Sequence, residues 1–434
     1  KGPGAELRSR TNANSIGYTT QTKYHDGNVN AAGGYFDGIV DEIWILNQAL
    51  EPAVLSAIGV SATKASDPIP ANGATDVPRD VTASWTPSES AGTHDVYWGT
   101  AFNDVNDASR ANPKGVLAGQ GQADTQYDPP GLLQYGQTYY WRVDEVNATA
   151  DQTIFKGETW SFTVEPYGYP VKPVAATASS SQAGMGPEKS IDGSGLTGDL
   201  HGTVETTMWT SAGVPPNWIQ YEFDNVYRLY DLKVWNSNQL IESFLGFGAK
   251  DVTVEYSLDG STWTALANVP EFAKASGNPD YAANTTVVFG GVEAKFVKLT
   301  INASWGGMPV TGLSEVQFSY IPVQARAPEP ADAATGVGLD VTLNWRPGRQ
   351  AASHQVFLGT DPNALTAAAT VTDHSFTPAE LSFGTTYYWQ VNEVNTVDAV
   401  TYPGDLWSFT TQEYAVVDDM ESYTDDEGSR IYET

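Results

Sequence analysis

Along most of the chain, apolar and polar residues alternate in short stretches, each closed by Gly, Pro, Asn or Asp. Residues two apart share one face of a strand. DVTASW, HDVYWG, TYYWRVDEV and TWSFTV, separated by roughly 8 to 12 residues or more, therefore predict half-buried strands rather than helices. In TYYWRVDEV the inward face is expected to carry Tyr139, Trp141, Val143 and Val146, with Tyr140, Arg142 and Asp144 turned outward. VTVEYSLDGSTWTAL predicts a hairpin, in which an Asp-Gly turn joins two alternating strands. The expected fold class is all-β, a series of tandem β-sandwiches. Trp85, Trp141 and Trp160 lie inside strand patterns and are expected in their cores.

The same pattern occurs twice. Pro68 to Thr100 matches Pro328 to Thr360, so that Trp85, His94 and Gly99 correspond to Trp345, His354 and Gly359 at an offset of 260. The match resumes as YGQTYYWRVDEVN and FGTTYYWQVNEVN, then as GETWSFT and GDLWSFT. A repeat of this kind decides the architecture before any single motif does. The recurring His94 and His354 are read as packing or hydrogen-bonding residues of the repeat.

Composition narrows the partners. The 434 residues include 52 acidic and 22 basic side chains, a net charge of -30, which repels phosphate backbones and anionic headgroups and argues against nucleic-acid binding. With 41% hydrophobic and 12% aromatic residues the chain is expected to fold, and its 41 Gly and 25 Pro suit a turn-rich β protein. No cysteine is present, so disulfides, thiolate metal sites and a Cys nucleophile are excluded. No run of 18 apolar residues occurs, so no membrane span is expected. The chain opens at Lys1 without a signal-like segment, which suggests that any signal peptide has been removed or lies outside this piece.

The two repeats, over about 100 and 90 residues, resemble fibronectin type III-like modules of the kind found in large exported proteins of planctomycete-type bacteria, which implies spacing and interaction roles. Between them, AATASSSQ, KSIDGSG, MWTS, NWIQYEF, DLKVWNSN, KDVTVEYSLDGSTWTAL, KFVKLTI and GLSEVQFS follow in order. This string resembles a discoidin or coagulation factor 5/8 type C domain, close to carbohydrate-binding module family 32. The resemblance implies an eight-stranded jelly roll with its ligand site in the loops at one end. GGYFDGIVDEIWILNQALEPAVLSAIG resembles the closing strands of a LamG-like, concanavalin-type jelly roll, and EYAVVDDMESYTDDEGSRIYET the opening of another. The expected domains are 1–60, 61–166, 167–322, 323–413 and 414–434, a cut from a longer repeating protein.

Enzyme signatures are missing: there is no H-E-x-x-H, no G-x-S-x-G and no Walker loop, and the five histidines form no pair at metal-ligand spacing. No catalytic residue is assigned. The carbohydrate-binding resemblance implies a structural Ca²⁺, held by backbone carbonyls of Lys189 and Thr197 and by the carboxylates of Asp192 and Glu315. His25 to Asn30 lacks the late Glu of an EF-hand and reads as a hairpin loop. The acidic cluster from Asp418 to Glu427 reads as a solvated face.

A sugar ring needs an aromatic face for its C–H side and polar groups for its hydroxyls, displayed on loops. Asn238, Gln239, Glu242, Phe244 and Phe247 follow the VWN strand, Asn278 and Tyr281 lie in GNPDY, and Trp305 precedes Gly306-Gly307. Trp305 is the expected platform, its face left open by the two glycines. Trp209, Trp218, Trp235 and Trp263 fall in strand markers and are expected in the core.

These features point to a non-catalytic, secreted or cell-surface protein that binds polysaccharide or cell-surface glycan through its central domain, with structural calcium. Two other readings remain open from the sequence: a subunit of an extracellular filament or layer that contacts copies of itself, and accessory modules of a polysaccharide-degrading enzyme.

Overall fold

A computed structural model describes residues 63–148, 152–397 and 399–415, with four two-residue strands at Tyr18–Thr19, Thr22–Lys23, Val29–Asn30 and Gly34–Tyr35. Thr22–Lys23 pairs antiparallel with Val29–Asn30, while the expected loop from His25 falls, up to Asn28, outside the described residues. The two LamG-like readings and the acidic cluster fall almost wholly outside the described residues.

The chain divides into two compact units, one of Lys1–Asn72, Ala83–Tyr127 and Tyr140–Trp160, the other of Gly73–Thr82, Asp128–Tyr139 and Ser161–Thr434. In the first unit, Ala83–Thr86 pairs with Ser66–Ile69 and with Gln126–Tyr127, while Ala91–Gly99 pairs with Leu117–Gln122 and with the strand that carries Trp141. Between these sheets Trp141 meets Trp160 edge to face at 4.7 Å and Trp85 at 6.3 Å. All three rings are buried, as the strand pattern predicts. Trp85 also packs edge-on against His94, whose Nδ1 lies 2.6 Å from Glu145 Oε2.

The second unit contains the other repeat, built in the same way. Trp389 packs on Trp407 at 4.8 Å and on Trp345 at 6.3 Å, and Trp345 packs on His354, which is bonded to Glu393. In both repeats the free oxygen of the glutamate accepts a backbone N–H, from Ser88 or from Gly348. A buried carboxylate is thus satisfied on both sides, as a sandwich interior requires. The recurring histidine is one half of a repeated buried His-Glu pair.

One expectation about the repeats is corrected. Arg142 and Asp144, placed on the outward face, are buried. The short helix Phe102–Asp107 covers that face, and Arg142 donates to the carbonyls of Val105 and Ala108 and to Asp144. In the second repeat Gln390 and Asn392 occupy these positions, and Thr386–Asn395 keeps a clean alternation from Trp389 onward.

The central part of the second unit is an eight-stranded sheet. Its strands run Tyr169–Val171, Gly312–Tyr320, Asn217–Asn236, Thr285–Ser304, Ala249–Ser257 and Thr264–Ala265, with Ala175–Ala178 and Trp209–Thr210 paired at its sides. Two of these strands are 20 residues long. Register shifts at Glu222/Tyr227 and Leu229/Asp231 bend them, so that one strand can serve opposite sides of the core. Phe318 sits at the centre, edge-on to Phe223 at 5.1 Å and to Tyr221 at 5.4 Å. The expected hairpin forms between Ala249–Ser257 and Thr264–Ala265, and Asp259 caps its turn by accepting the N–H groups of Ser261 and Thr262. Those donors hold the Asp259 carboxyl well below the usual range.

Trp209 and Trp235 are buried, but Trp218 and Trp263 are not core residues. Trp218 occupies an outward position of Asn217–Asn236 and is 37% exposed, and Trp263 lies beyond the hairpin turn with Lys298 Nζ 4.2 Å from its ring centre. Trp389→Ala is expected to cost the second repeat about 3 to 5 kcal/mol, read as an earlier urea transition, whereas Trp218→Ala should cost less than about 1 kcal/mol.

Candidate functional site

The strand Asn217–Asn236 ends in two buried asparagines that organise the loops beyond it. Asn236 Nδ2 donates to the carbonyls of Ala249 and Ala273 at 2.7 and 2.8 Å, and its Oδ1 accepts from Ser237 N and Ala249 N. Asn238 Nδ2 donates to the carbonyls of His201, Gly202 and Asn278, its Oδ1 accepts from Gly277 N at 2.8 Å, and its own N–H reaches Ser314 Oγ. Asn238 therefore ties its own loop to the segments at 201–202 and 277–278 through its side chain and to the strand Gly312–Tyr320 through its backbone.

Glu242 opens a single helical turn, Glu242–Leu245. It is buried, and its two oxygens accept the N–H groups of Phe247 and Gly248 at 3.1 and 2.9 Å. Burial pushes its carboxyl above the ordinary value, against the pull of these donors. Gly246 closes the turn in the left-handed region at φ 67°, which a residue without Cβ adopts at no steric cost. A second loop packs directly on this turn: a Cβ at Gly306 would sit 1.6 Å from the Leu245 carbonyl oxygen. The turn and the loop of Trp305 thus form one surface.

The expected ligand residues divide into two kinds. Asn238, Glu242 and Tyr281 are buried and spent internally, with Tyr281 Oη donating to Asn284 Oδ1 at 2.6 Å and accepting from Asn236 N. Gln239, also buried, donates to Thr210 Oγ1. Phe247 and Trp305 are half-buried, and Phe244 is 87% exposed. The Trp305 ring is not left open as its glycines suggest: Nε1 donates to the Phe272 carbonyl at 2.9 Å, and Lys250 Nζ lies 4.7 Å from the ring centre. Two exposed neighbours, Leu240 and Ile241, went unread in the sequence, where LIESFLGFG gives no period to separate exposed from buried positions. A Cβ at Gly277 would sit 3.3 Å from the Leu240 carbonyl oxygen, and the exposed Asn278 and Asp280 follow Gly277 in the chain. An exposed aromatic on a braced turn, with amide and carboxylate groups nearby, can take an apolar ring face and its hydroxyls together.

The residues expected to hold calcium lie elsewhere in this domain. Glu315 is buried and accepts from Gly193 N at 3.2 Å, while Asp192 accepts from Ser194 N at 2.8 Å and from Lys189 Nζ at 3.0 Å. Thr197 is exposed in the strand pair that follows. Among the described residues no three His, Asp or Glu side chains cluster as a metal site, so a cation here would need backbone carbonyls as well. Glu315, buried with a single hydrogen bond to Gly193 N, feels the charge of Asp192 in the same loop, and two carboxylates with neighbouring carbonyls are hard oxygen donors of the kind Ca²⁺ takes. Burial, with the Asp192 charge nearby, pushes the Glu315 carboxyl up to about 7.

Residues 175–316 match the family model described as F5/8 type C domain. The central part of the chain is an F5/8 type C domain. Solved structures similar to it include CBM32-3 from a family 31 glycoside hydrolase of Clostridium perfringens, 19% identical, covering 34% of this chain and 90% of that one, with a TM-score of 0.26. A pectin binding carbohydrate binding module is 21% identical over 34% of this chain and 90% of its own, with a TM-score of 0.24. GH31 CBM32-2 bound to GalNAc is 20% identical over 33% and 96%, with a TM-score of 0.25. No curated protein matches the chain. Among the described residues no helix is long and apolar enough to cross a membrane.

The Glu315 shift in the F5/8 type C domain has a stability consequence. Because the folded state holds this proton more tightly than the unfolded chain, the stabilisation is complete below about pH 4.5 and is lost as pH rises through about 7, a change of about 3 kcal/mol. Glu242 contributes with the same sign. In calcium-free buffer, thermal unfolding between pH 4.5 and 7 should show Glu315→Gln gaining on the parent chain as pH rises. Parallel curves would contradict this.

Proposed function

We propose that this chain is a non-catalytic, multimodular protein of the cell surface or extracellular space that binds glycan through its F5/8 type C domain. The observation that carries the reading is the 87% exposed Phe244, presented on a turn whose neighbouring polar groups are already consumed by the fold. Phe244 stacks on the apolar face of a sugar ring, Phe247 and the outer part of Trp305 extend that surface, and Asn278 and Asp280 meet hydroxyls. Asn238, Glu242 and Tyr281 act as braces that hold the loops in place for binding, which limits the ordering cost of association.

Calcium takes a structural role in the same reading, held by the carboxylates of Asp192 and Glu315 with carbonyls of the Lys189 to Thr197 segment. The ion would offset the repulsion between two converging carboxylates and fasten the early loop to the late strand.

The whole chain, applied to a broad panel of neutral glycans with calcium and then with excess chelator, tests both parts. Phe244→Ala should weaken binding at least about tenfold with an unchanged melting temperature, as expected for an exposed anchor. Asn238→Ala should lower the melting temperature of the domain, because it removes the acceptor of the Gly277 N–H and a donor to the carbonyls of His201, Gly202 and Asn278. Full affinity in Phe244→Ala would overturn the platform assignment, and a melting temperature indifferent to calcium would overturn the ion site.

A further inference from the structure

Four of the chain's ten arginines converge at one place in the second unit. Arg326, Arg346 and Arg349 all reach a single carboxylate, Glu165, and Arg346 also meets Asp76. Arg79 stands apart from them in having no carboxylate partner among the described residues: its Nε donates to the Leu133 carbonyl, and its guanidinium lies 4.1 Å from the centre of the Tyr135 ring. Arg349 lies 4.7 Å from the centre of that same ring. In a chain of net charge -30, three guanidiniums thus share the Glu165 carboxylate.

These groups line an open cleft of about 890 Å³. Its wall includes Arg79, Tyr135, Tyr167, Arg346 and Arg349, with acidic groups at Glu165, Asp80 and Glu329. Glu165 is taken up by the arginines, and Asp80 pairs with His374 at 3.2 Å. Donors remain unspent. Among the described residues, Arg349 uses Nε and Nη2 on the carbonyls of Tyr167 and Pro166, with Nη2 also 3.1 Å from Glu165, but makes no hydrogen bond through Nη1; both terminal nitrogens of Arg79 are unbonded, and the buried Nε of Arg346 has no partner. A guanidinium offers its nitrogens as a planar fork that matches a carboxylate, and tyrosine rings beside it favour a carboxylate carried on a ring.

We propose that this cleft is a second saccharide site, separate from the loop end of the F5/8 type C domain, and that it takes an acidic sugar through its carboxylate. Arg79 and Nη1 of Arg349 grip the carboxylate, and the sugar ring lies against the outer side of the Tyr135–Tyr167 pair, whose rings pack edge to face at 5.2 Å. The choice of a saccharide as carrier rests on the glycan-binding reading above, while the choice of a carboxylate rests on the unspent guanidinium donors.

Calorimetric titration of the whole chain with trigalacturonate, and with neutral galactotriose as control, tests the proposal. Trigalacturonate should bind with an affinity that falls as salt rises. Arg79→Gln should weaken it at least about tenfold, Arg79→Lys should recover part of the loss, and Phe244→Ala should leave it unchanged. Independently of any variant, trigalacturonate should slow modification of Arg79 by phenylglyoxal. No binding of trigalacturonate, equal affinity for galactotriose, full affinity in Arg79→Gln, or a loss confined to Phe244→Ala would each overturn the site. Neutral glycans retained through Phe244 while trigalacturonate fails would remove this proposal alone. Trigalacturonate bound through Arg79 with no glycan retained through Phe244 would instead remove the loop-end reading.

Discussion

A polar group taken out of water must find a partner, and at the loop end of the central domain that requirement determines the local structure. Asn236 and Asn238 come out of a 20-residue strand into the interior, where each satisfies backbone groups from segments far apart in sequence. Glu242 does the same for the two residues after its turn. Once these side chains are committed, little freedom is left to the loops, and the residues left outward include the apolar Leu240, Ile241 and Phe244. The exposed ring and the buried amides result from a single packing solution.

The repeats obey the same constraint with different residues. A glutamate on the inward face of a core strand is tolerated because a histidine from the neighbouring strand and a backbone N–H take its two oxygens. Removing one partner of such a pair leaves a buried polar group without its hydrogen bond, which ties the two strands and the loop of Ser88 or Gly348 to one arrangement. The first repeat adds a buried Arg142 to hold its short helix, and the second, with Gln390 in that position, has no such helix.

The fold was largely legible in the sequence. Period-two alternation located the strands, the Asp-Gly turn located the hairpin, and the offset of 260 identified the two copies. Period two also places Glu145 and Glu393 on the same face as Trp141 and Trp389, but a charged residue there reads as broken alternation until its histidine is seen across the strand pair. The site was legible only in part. The sequence placed aromatic and polar residues on the loops after the VWN strand, yet Asn238 and Phe244 look alike as loop residues, and only the hydrogen bonds between Asn238 and the segments at 201–202 and 277–278 separate the buried amide from the exposed ring. Trp305 illustrates the same limit, since nothing in NASWGGMPV announces Lys250 over its ring. The arginine cleft was invisible, because Arg79, Arg326, Arg346 and Arg349 are spread over 270 positions.

The central claim is that the loop end is fully built before any ligand arrives. Amide hydrogen exchange of the free protein tests it most directly, at Phe247, Gly248 and Gly277, whose N–H groups are held by Glu242 and Asn238. Slow exchange at all three without ligand, comparable to the flanking strands, is the predicted result. Exchange at open-loop rates that slows only when a glycan is added would contradict the account, and would make these loops ones that order on binding.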